Sequence, residues 1–183
     1  MPSKTSKLTG TALLAALVIV FDYALKFSGL KIPFPWMPSM KFDFTGVPIV
    51  LSLLMFGLPS ALTTSLVAFV GIMARSGDVI GASMKFAAEF ATVLGLWLGT
   101  KLAVKLSQRA KQSSGLTLGL GFRVAMMSVA NIFVLPLYGY PQPVVYGMLP
   151  LVAAFNVVAG AITVLLGSFL YEAVRRRFPA PQP

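Results

Sequence analysis

The sequence predicts an all-α fold: a polytopic membrane protein built as a bundle of six transmembrane helices. Hydrophobic residues make up 57% of the 183 residues, and charged residues only 11%. The mean hydropathy is +0.84, whereas a soluble domain carries about 25% charged residues. Because one crossing needs roughly 20 apolar residues, the chain has room for five or six crossings and no soluble domain. We therefore expect a single integral membrane domain over 1–183.

The first predicted helix covers 9–28, since an unbroken apolar run follows the basic N-terminus at Thr9 or Thr11. The segment Gly29 to Lys41 holds three prolines. Each proline lacks a backbone donor and fixes its own φ, so no helix runs through them. We expect a structured loop here.

The second and third helices are predicted over 45–57 and 60–75, divided by the turn Gly57-Leu58-Pro59. At about 1.5 Å per residue, neither crosses a hydrocarbon core of roughly 30 Å. We expect both to be tilted, shielded by neighbours or extended by loops.

The last three helices are predicted over 80–104, 116–136 and 145–174. A basic, Ser/Gly-rich segment, KLAVKLSQRAKQSSG, follows the fourth helix and reads as a loop. Pro136 breaks the fifth helix before the turn PLYGYPQP, and Pro150 kinks the sixth near its start.

Lysine and arginine predict the orientation, because these residues collect at cytoplasmic helix ends. Nine bases lie at one end of a six-crossing bundle and four at the other. We expect both termini in the cytoplasm of a multi-pass cell-membrane protein, with the proline-rich loop outside. The nine are Lys4, Lys7, Lys101, Lys105, Arg109, Lys111, Arg175, Arg176 and Arg177; the four are Lys26, Lys31, Lys41 and Arg75. The net charge of +10 therefore needs no nucleic-acid partner.

Several chemistries are absent from the composition. The chain has neither Cys nor His, which removes disulfides, thiol nucleophiles, imidazole bases and the usual transition-metal ligands. No phosphate-binding glycine-rich loop is present, so the chain does not hydrolyse ATP by itself. We expect a protein that is not an enzyme and has no catalytic residues, metal or cofactor.

Lys85 and Glu89 are the most informative pair. They stand four residues apart inside an apolar helix, where they can neutralise each other and face a cavity. Either a structural ion pair or a ligand contact explains them. Asp22 and Lys26 share the same spacing near a helix end, and we interpret them as a structural pair.

Asn131 and Asn156 are amides predicted in the outer halves of the fifth and sixth helices. Each offers donors and an acceptor, which suits a heteroaromatic or amide ligand; an interhelical hydrogen bond is the competing interpretation. Asp43, before the second helix, either caps that helix or binds a ligand hydroxyl. Ala12 and Ala16 permit close approach of another helix.

These features together resemble a known family, the substrate-binding S components of energy-coupling factor (ECF) vitamin transporters. Within that family the chain is most similar to the riboflavin-specific branch. The matching segments are AxxxA at Ala12 and Ala16, KFDFTGVP at 41–48, Phe56-Gly57, Gly77-Asp78 with Gly81, NIFVLPLYG at 131–139, and Phe155-Asn156 with Gly160. The chain differs from that branch at Ala159, where a lysine usually precedes the glycine, and at Lys85, where asparagine is common.

The resemblance implies a function. The chain would capture riboflavin from outside as its bound substrate and deliver it through a transmembrane coupling protein and two ATPase subunits, with Ala12 and Ala16 against the coupling protein. Asn131 and Asn156 would hold the isoalloxazine ring, with Asp43 near its polar tail. The substrate-binding residues implied are Phe42, Asp43, Thr45, Lys85, Glu89, Asn131, Tyr138, Asn156 and Gly160.

Other functions remain open. Within the same class, the ligand is another vitamin or precursor, such as pantothenate. A stand-alone secondary transporter is a second class, although the two halves of the chain show no inverted repeat of the kind such carriers favour. An intramembrane enzyme using Lys85 and Glu89 as base and acid is a third, but it lacks a nucleophile and metal ligands.

Overall fold

The computed structural model describes residues 3–177 and has six α-helices and one β-hairpin within that range. The single domain predicted over 1–183 extends past these limits at both ends. The helices are α1 (Lys4–Phe27), α2 (Gly46–Phe56), α3 (Leu58–Ser76), α4 (Val79–Leu102), α5 (Gln108–Leu137) and α6 (Gln142–Arg177), and the strands are β1 (Ile32–Phe34) and β2 (Met37–Phe42). Five helices are long and apolar enough to cross a membrane, and α2 is shorter.

Two predicted helix starts were wrong for the same reason. α1 begins at Lys4 rather than residue 9, because the Ser3 side chain accepts a hydrogen bond from the Ser6 N–H. α5 begins at Gln108 rather than 116, where Ser107 accepts from the Ala110 N–H. Both caps add polar helical turns outside the apolar run. The segment 108–115, predicted as a loop, is therefore helix.

Smaller differences affect other helix ends. α5 passes Pro136 and ends at Leu137, and α6 runs from Gln142 to Arg177 rather than over 145–174. α3 has 19 residues and is among the helices long enough to cross. The prediction that the third helix is too short was wrong, because the helix begins within the glycine-proline turn.

The proline-rich loop between α1 and α2 contains the β-hairpin. β1 and β2 are antiparallel, with Ile32 opposite Phe42 and Phe34 opposite Met37. A two-stranded sheet has only edge strands, and edge strands tolerate proline. Phe34 and Met37 are buried in an apolar cluster with Ala88, Met127 and Val152, which lie on α4, α5 and α6. The hairpin therefore covers one end of the bundle.

α2 lies in the centre of the bundle. All residues from Gly46 to Leu53 are buried. Eleven residues rise roughly 16 Å, about half of a hydrocarbon core. Of the three alternatives predicted for the second helix, namely tilt, shielding by neighbours or extension by loops, the burial of α2 shows shielding. Helix ends at this depth are tolerated because protein, not lipid, surrounds them.

α4 and α5 approach each other closely through glycine. A Cβ added to Gly95 would overlap the Leu118 carbonyl, and one added to Gly99 would overlap the Ser114 carbonyl. Small residues at a crossing bring two backbones together. This contact places the polar side chains of α4 beside those of α5.

Replacing Gly95 with alanine should destabilise the bundle. The added methyl group meets backbone atoms of α5 that cannot rotate away, and overpacking of this kind costs about 1–3 kcal/mol. Thermal unfolding in detergent measures the effect as a lower Tm. Gly121→Ala is the matched control, since a Cβ there meets nothing within 4 Å. Equal Tm values for the two variants would contradict the close crossing.

Candidate functional site

A cavity of about 260 Å³ lies beside the hairpin, inside the covered end of the bundle. Its walls come from β2, the segment before α2, and α4, α5 and α6. The polar lining residues in the bundle are Asp43, Lys85, Glu89, Arg123, Asn131, Asn156 and Thr163, and the larger apolar ones are Met40, Phe42, Met84, Met127 and Phe155. The structure thus gathers residues that are far apart in sequence into one polar site with apolar walls.

Asp43 enters the bundle on the segment between β2 and α2. Its Oδ1 accepts hydrogen bonds from the Thr45 N–H at 3.2 Å and the Thr45 hydroxyl at 2.7 Å. Lys85 Nζ donates to the same oxygen at 2.5 Å. Lys85 lies six residues into α4, about 9 Å from the start of that helix. The segment therefore descends about two helical turns into the bundle before α2 begins.

Asp43 is a carboxylate at neutral pH. Burial opposes its ionisation, but the charge of Lys85 and its hydrogen bond, followed by Lys31 and the Thr45 hydroxyl, outweigh burial. Together they hold the pKa of this carboxyl well below its usual range. Asp43 therefore places a fixed negative charge at the side of the cavity formed by the segment before α2.

Lys31 connects this charge to the other side of the bundle. Its Nζ lies 2.8 Å from Asp22 Oδ1 on α1 and 3.7 Å from Asp43 Oδ2. Asp22 Oδ2 also accepts from Arg75 Nε on α3 at 2.5 Å. Asp22 thus pairs with Lys31 and Arg75, and the predicted pair with Lys26 was wrong because Lys26 lies on the exposed side of α1.

Glu89 is the deepest acid in the site. The predicted pair with Lys85 forms, with 3.2 Å between Nζ and Oε1. Arg123 Nη1 approaches the same oxygen at 3.1 Å. Within residues 3–177, Glu89 Oε2 has no hydrogen-bond partner although it is buried. It lies against Gly46, where a side chain would collide with it, and so faces the partial positive charge at the start of α2.

Arg123 lines the cavity but was not among the site residues predicted from the sequence. It is only 3% exposed, and it donates from Nε to Asn156 Oδ1 and from Nη1 to Thr92 Oγ1, both at 3.1 Å. The signal was available, because Arg123 is the only ionisable residue in the apolar run of α5. An ionisable residue at membrane depth usually faces a cavity, which is the rule that identified Lys85.

Asn131 and Asn156 both line the cavity. Each Nδ2 donates to a carbonyl one turn earlier in its own helix, Met127 at 2.8 Å and Val152 at 2.9 Å. The Asn156 oxygen accepts from Arg123, which joins α5 to α6. No described residue donates to the Asn131 oxygen. That oxygen remains available to a ligand.

The other predicted site residues occupy different positions. Phe42 lines the cavity with its ring centroid 4.8 Å from that of Phe155. Thr45 is buried behind Asp43, and Gly160 packs against the Arg123 side chain. Tyr138 is 58% exposed and lines an adjoining cavity of about 500 Å³. The structure therefore brings Phe42, Asp43, Lys85, Glu89, Asn131 and Asn156 to the main cavity but not Thr45, Tyr138 or Gly160.

Ala12 and Ala16 lie on the outer face of α1 and are exposed. The inner face of the same helix carries Thr11, Ala15 and Val18, which are buried. The two alanines therefore form a small-residue surface that no described part of the chain covers.

The comparisons identify the fold. No protein-family model matches the chain, and no curated protein matches it. A solved structure of the S component of a bacterial ECF transporter superposes with a TM-score of 0.79 at 25% sequence identity, covering 97% of this chain and 100% of that one. The chain has the fold of an ECF S component. Its apolar helices and this S-component fold together make it a multi-pass membrane protein.

Breaking the Glu89–Arg123 pair should destabilise the S-component fold. Arg123→Met leaves a buried carboxylate with one partner fewer, and losing one side of a buried pair costs about 3–5 kcal/mol. Adding Glu89→Gln removes the stranded charge and should recover at least about 1 kcal/mol. Thermal unfolding of the two single variants and the double variant in detergent measures this coupling. Strictly additive losses would show that the pair does not contribute as a unit.

Proposed function

We propose that the chain is the substrate-binding S component of an ECF-type importer and that its ligand is riboflavin. The fold supports the first part, and the cavity provides a place for a small molecule at the end covered by the hairpin. In this proposal both termini are cytoplasmic, the hairpin is extracellular, and transport requires a coupling protein and two ATPase subunits.

The proposal for the ligand is based on polar side-chain atoms of the cavity that have no hydrogen-bond partner in the protein. Among the described residues, nothing donates to Glu89 Oε2 or to the Asn131 oxygen, and Arg123 Nη2 donates to nothing. A heterocycle whose edge carries an N–H group between C=O groups can donate to one of these two acceptors and accept from Arg123 Nη2. The pyrimidine edge of an isoalloxazine ring has this pattern.

The charges of the site favour a neutral ligand. Asp43 and Glu89 are matched by Lys85 and Arg123 through ion pairs of 2.5 to 3.2 Å. A buried anionic ligand would need a further unpaired cation to offset its desolvation. Riboflavin is neutral, whereas pantothenate carries a carboxylate. Within the bundle this balance favours riboflavin over pantothenate; Lys41, the further cation that lines the cavity, lies on the exposed hairpin and forms no ion pair with a described residue.

The walls of the cavity suit a flat ring. Phe42 and Phe155 offer aromatic surface on one side, and the thioethers of Met84 and Met127 offer adaptable apolar surface. The adjoining cavity shares Met84 and Asn131 with the main one. It extends the space available for a ribityl chain, since pockets for such ligands commonly reach 300–1,000 Å³.

Arg123 offers a cation where this chain differs from the riboflavin branch. Members of the riboflavin-specific branch, which the chain resembles, usually carry a lysine at the position of Ala159. Here the Arg123 side chain packs on the neighbouring Gly160 from α5. In this proposal a positive charge reaches the same part of the site from the facing helix.

A riboflavin titration tests the proposed ligand. The detergent-purified protein should quench flavin fluorescence saturably at one riboflavin per chain, while pantothenate should not compete. Asn131→Leu removes an acceptor at similar volume and should weaken binding about tenfold. Tyr146→Phe, at an exposed position of α6 outside both cavities, is the control and should leave affinity unchanged. Absence of quenching would discard riboflavin and lead to a thermal-shift panel that includes pantothenate.

Reconstitution tests the proposed partners. The chain alone in liposomes should bind riboflavin without accumulating it, and accumulation should require ATP and the coupling module. Ala12→Leu with Ala16→Leu should stop transport without weakening binding, because bulk is added only to the outer face of α1. Ala125→Leu with Ala154→Leu adds the same bulk to exposed positions of α5 and α6 and should transport normally. Ion-driven accumulation by the chain alone would establish a secondary transporter instead.

A further inference from the structure

A second cavity lies at the opposite end of the bundle from the candidate site. Its volume is about 730 Å³, and its lining includes Thr100 near the end of α4, Lys111 in the first turns of α5 and Arg175 near the end of α6. At this end α4 and α6 end and α5 begins. The mouth of the cavity therefore lies where apolar helix surface gives way to polar residues. None of its lining residues belongs to the vitamin site.

The mouth of this cavity is positively charged. Lys111, Arg175 and Arg176 line it together with one acid, Glu172. Glu172 lies 4.0 Å from Arg176, whereas Lys111 and Arg175 form no ion pair with any residue of the described chain. Two cations therefore face the cavity without a carboxylate partner. An anionic ligand would supply the missing charge.

The cavity is long and its polarity changes along its length. From Arg175 to Val164 it follows eleven residues of α6, a distance of about 16 Å. The inner end is lined by Leu54, Leu96 and Val164. Hydroxyl groups of Ser168 and Tyr171 lie between the charged mouth and this apolar floor. A small anion would occupy only the mouth.

We infer that this cavity binds one anionic phospholipid. The headgroup phosphate lies at Lys111 and Arg175, the glycerol region beside Ser168 and Tyr171, and the upper part of an acyl chain on the apolar floor. Basic pockets between membrane helices at the cytoplasmic side recognise anionic headgroups in this way. The inference rests on the charge, length and polarity of this cavity and on the orientation proposed above, and it does not depend on which molecule binds at the other end.

The protein in nanodiscs tests this inference. Discs of phosphatidylcholine alone are compared with discs that contain one-fifth phosphatidylglycerol. Native mass spectrometry after release should find one phosphatidylglycerol retained per chain, and Tm should rise in the mixed discs. The variant Lys111→Gln, Arg175→Gln, Arg176→Gln should lose the retained lipid and the rise in Tm, with affinity falling roughly fivefold for each base removed. The Tm of each variant in discs of phosphatidylcholine alone, compared with that of the wild type, shows that the variant is folded.

A matched variant separates this cavity from general surface charge. Lys101→Gln, Lys105→Gln, Arg109→Gln removes the same charge from the same end of the bundle but outside the cavity lining, so it should retain the lipid. Equal loss in both triple variants, or no retained phosphatidylglycerol in the wild type, would overturn the inference. Glycerol phosphate or inorganic phosphate raising Tm as much as phosphatidylglycerol would also overturn it, since the site would then be one for a soluble anion.

Discussion

The ion pair between Glu89 and Arg123 is the interaction on which the arrangement of this end of the bundle depends. Both side chains are buried, and each has further partners: Glu89 meets Lys85 on its own helix, and Arg123 on α5 meets Thr92 on α4 and Asn156 on α6. Burying either charge alone in an apolar bundle would be strongly unfavourable. The pair therefore requires α4, α5 and α6 to meet in one register, and the cavity is the space that remains between them.

The sequence predicted the class of fold because hydropathy and helix length act locally. Apolar runs of about the length of a bilayer need a helical backbone wherever they occur. The ends of α1 and α5 were misplaced because Ser3 and Ser107 continue the helices into polar sequence, which hydropathy does not detect. The hairpin was predicted only as a structured loop, since its pairing depends on where Phe34 and Met37 find an apolar surface.

The candidate site was predicted in part for a similar reason. Lys85 and Glu89 were recognisable because their spacing on one helix already shows that they can pair. Arg123 has no such partner in its own helix, and its partners Glu89 and Asn156 are 34 and 33 residues away in sequence. Contacts of this kind are set by helix packing, above all by the glycines that bring α4 against α5. The S-component fold itself does not specify the ligand, which depends on the few groups left unpaired after packing.

Lys31 should affect how long a molecule stays in the cavity, because it holds the hairpin region over it. It holds Asp22 on α1 and Asp43 at the start of the descending segment at once, so the hairpin region cannot lift from the cavity without separating opposite charges. Its side chain is 16% exposed, and water and ions reach the lysine. Salt screens exposed charges, but it screens pairs that are buried to this extent much less. The residence time of a molecule in the cavity should therefore change little with ionic strength at this face, while loss of the Lys31 charge should shorten it, even when the molecule itself is neutral.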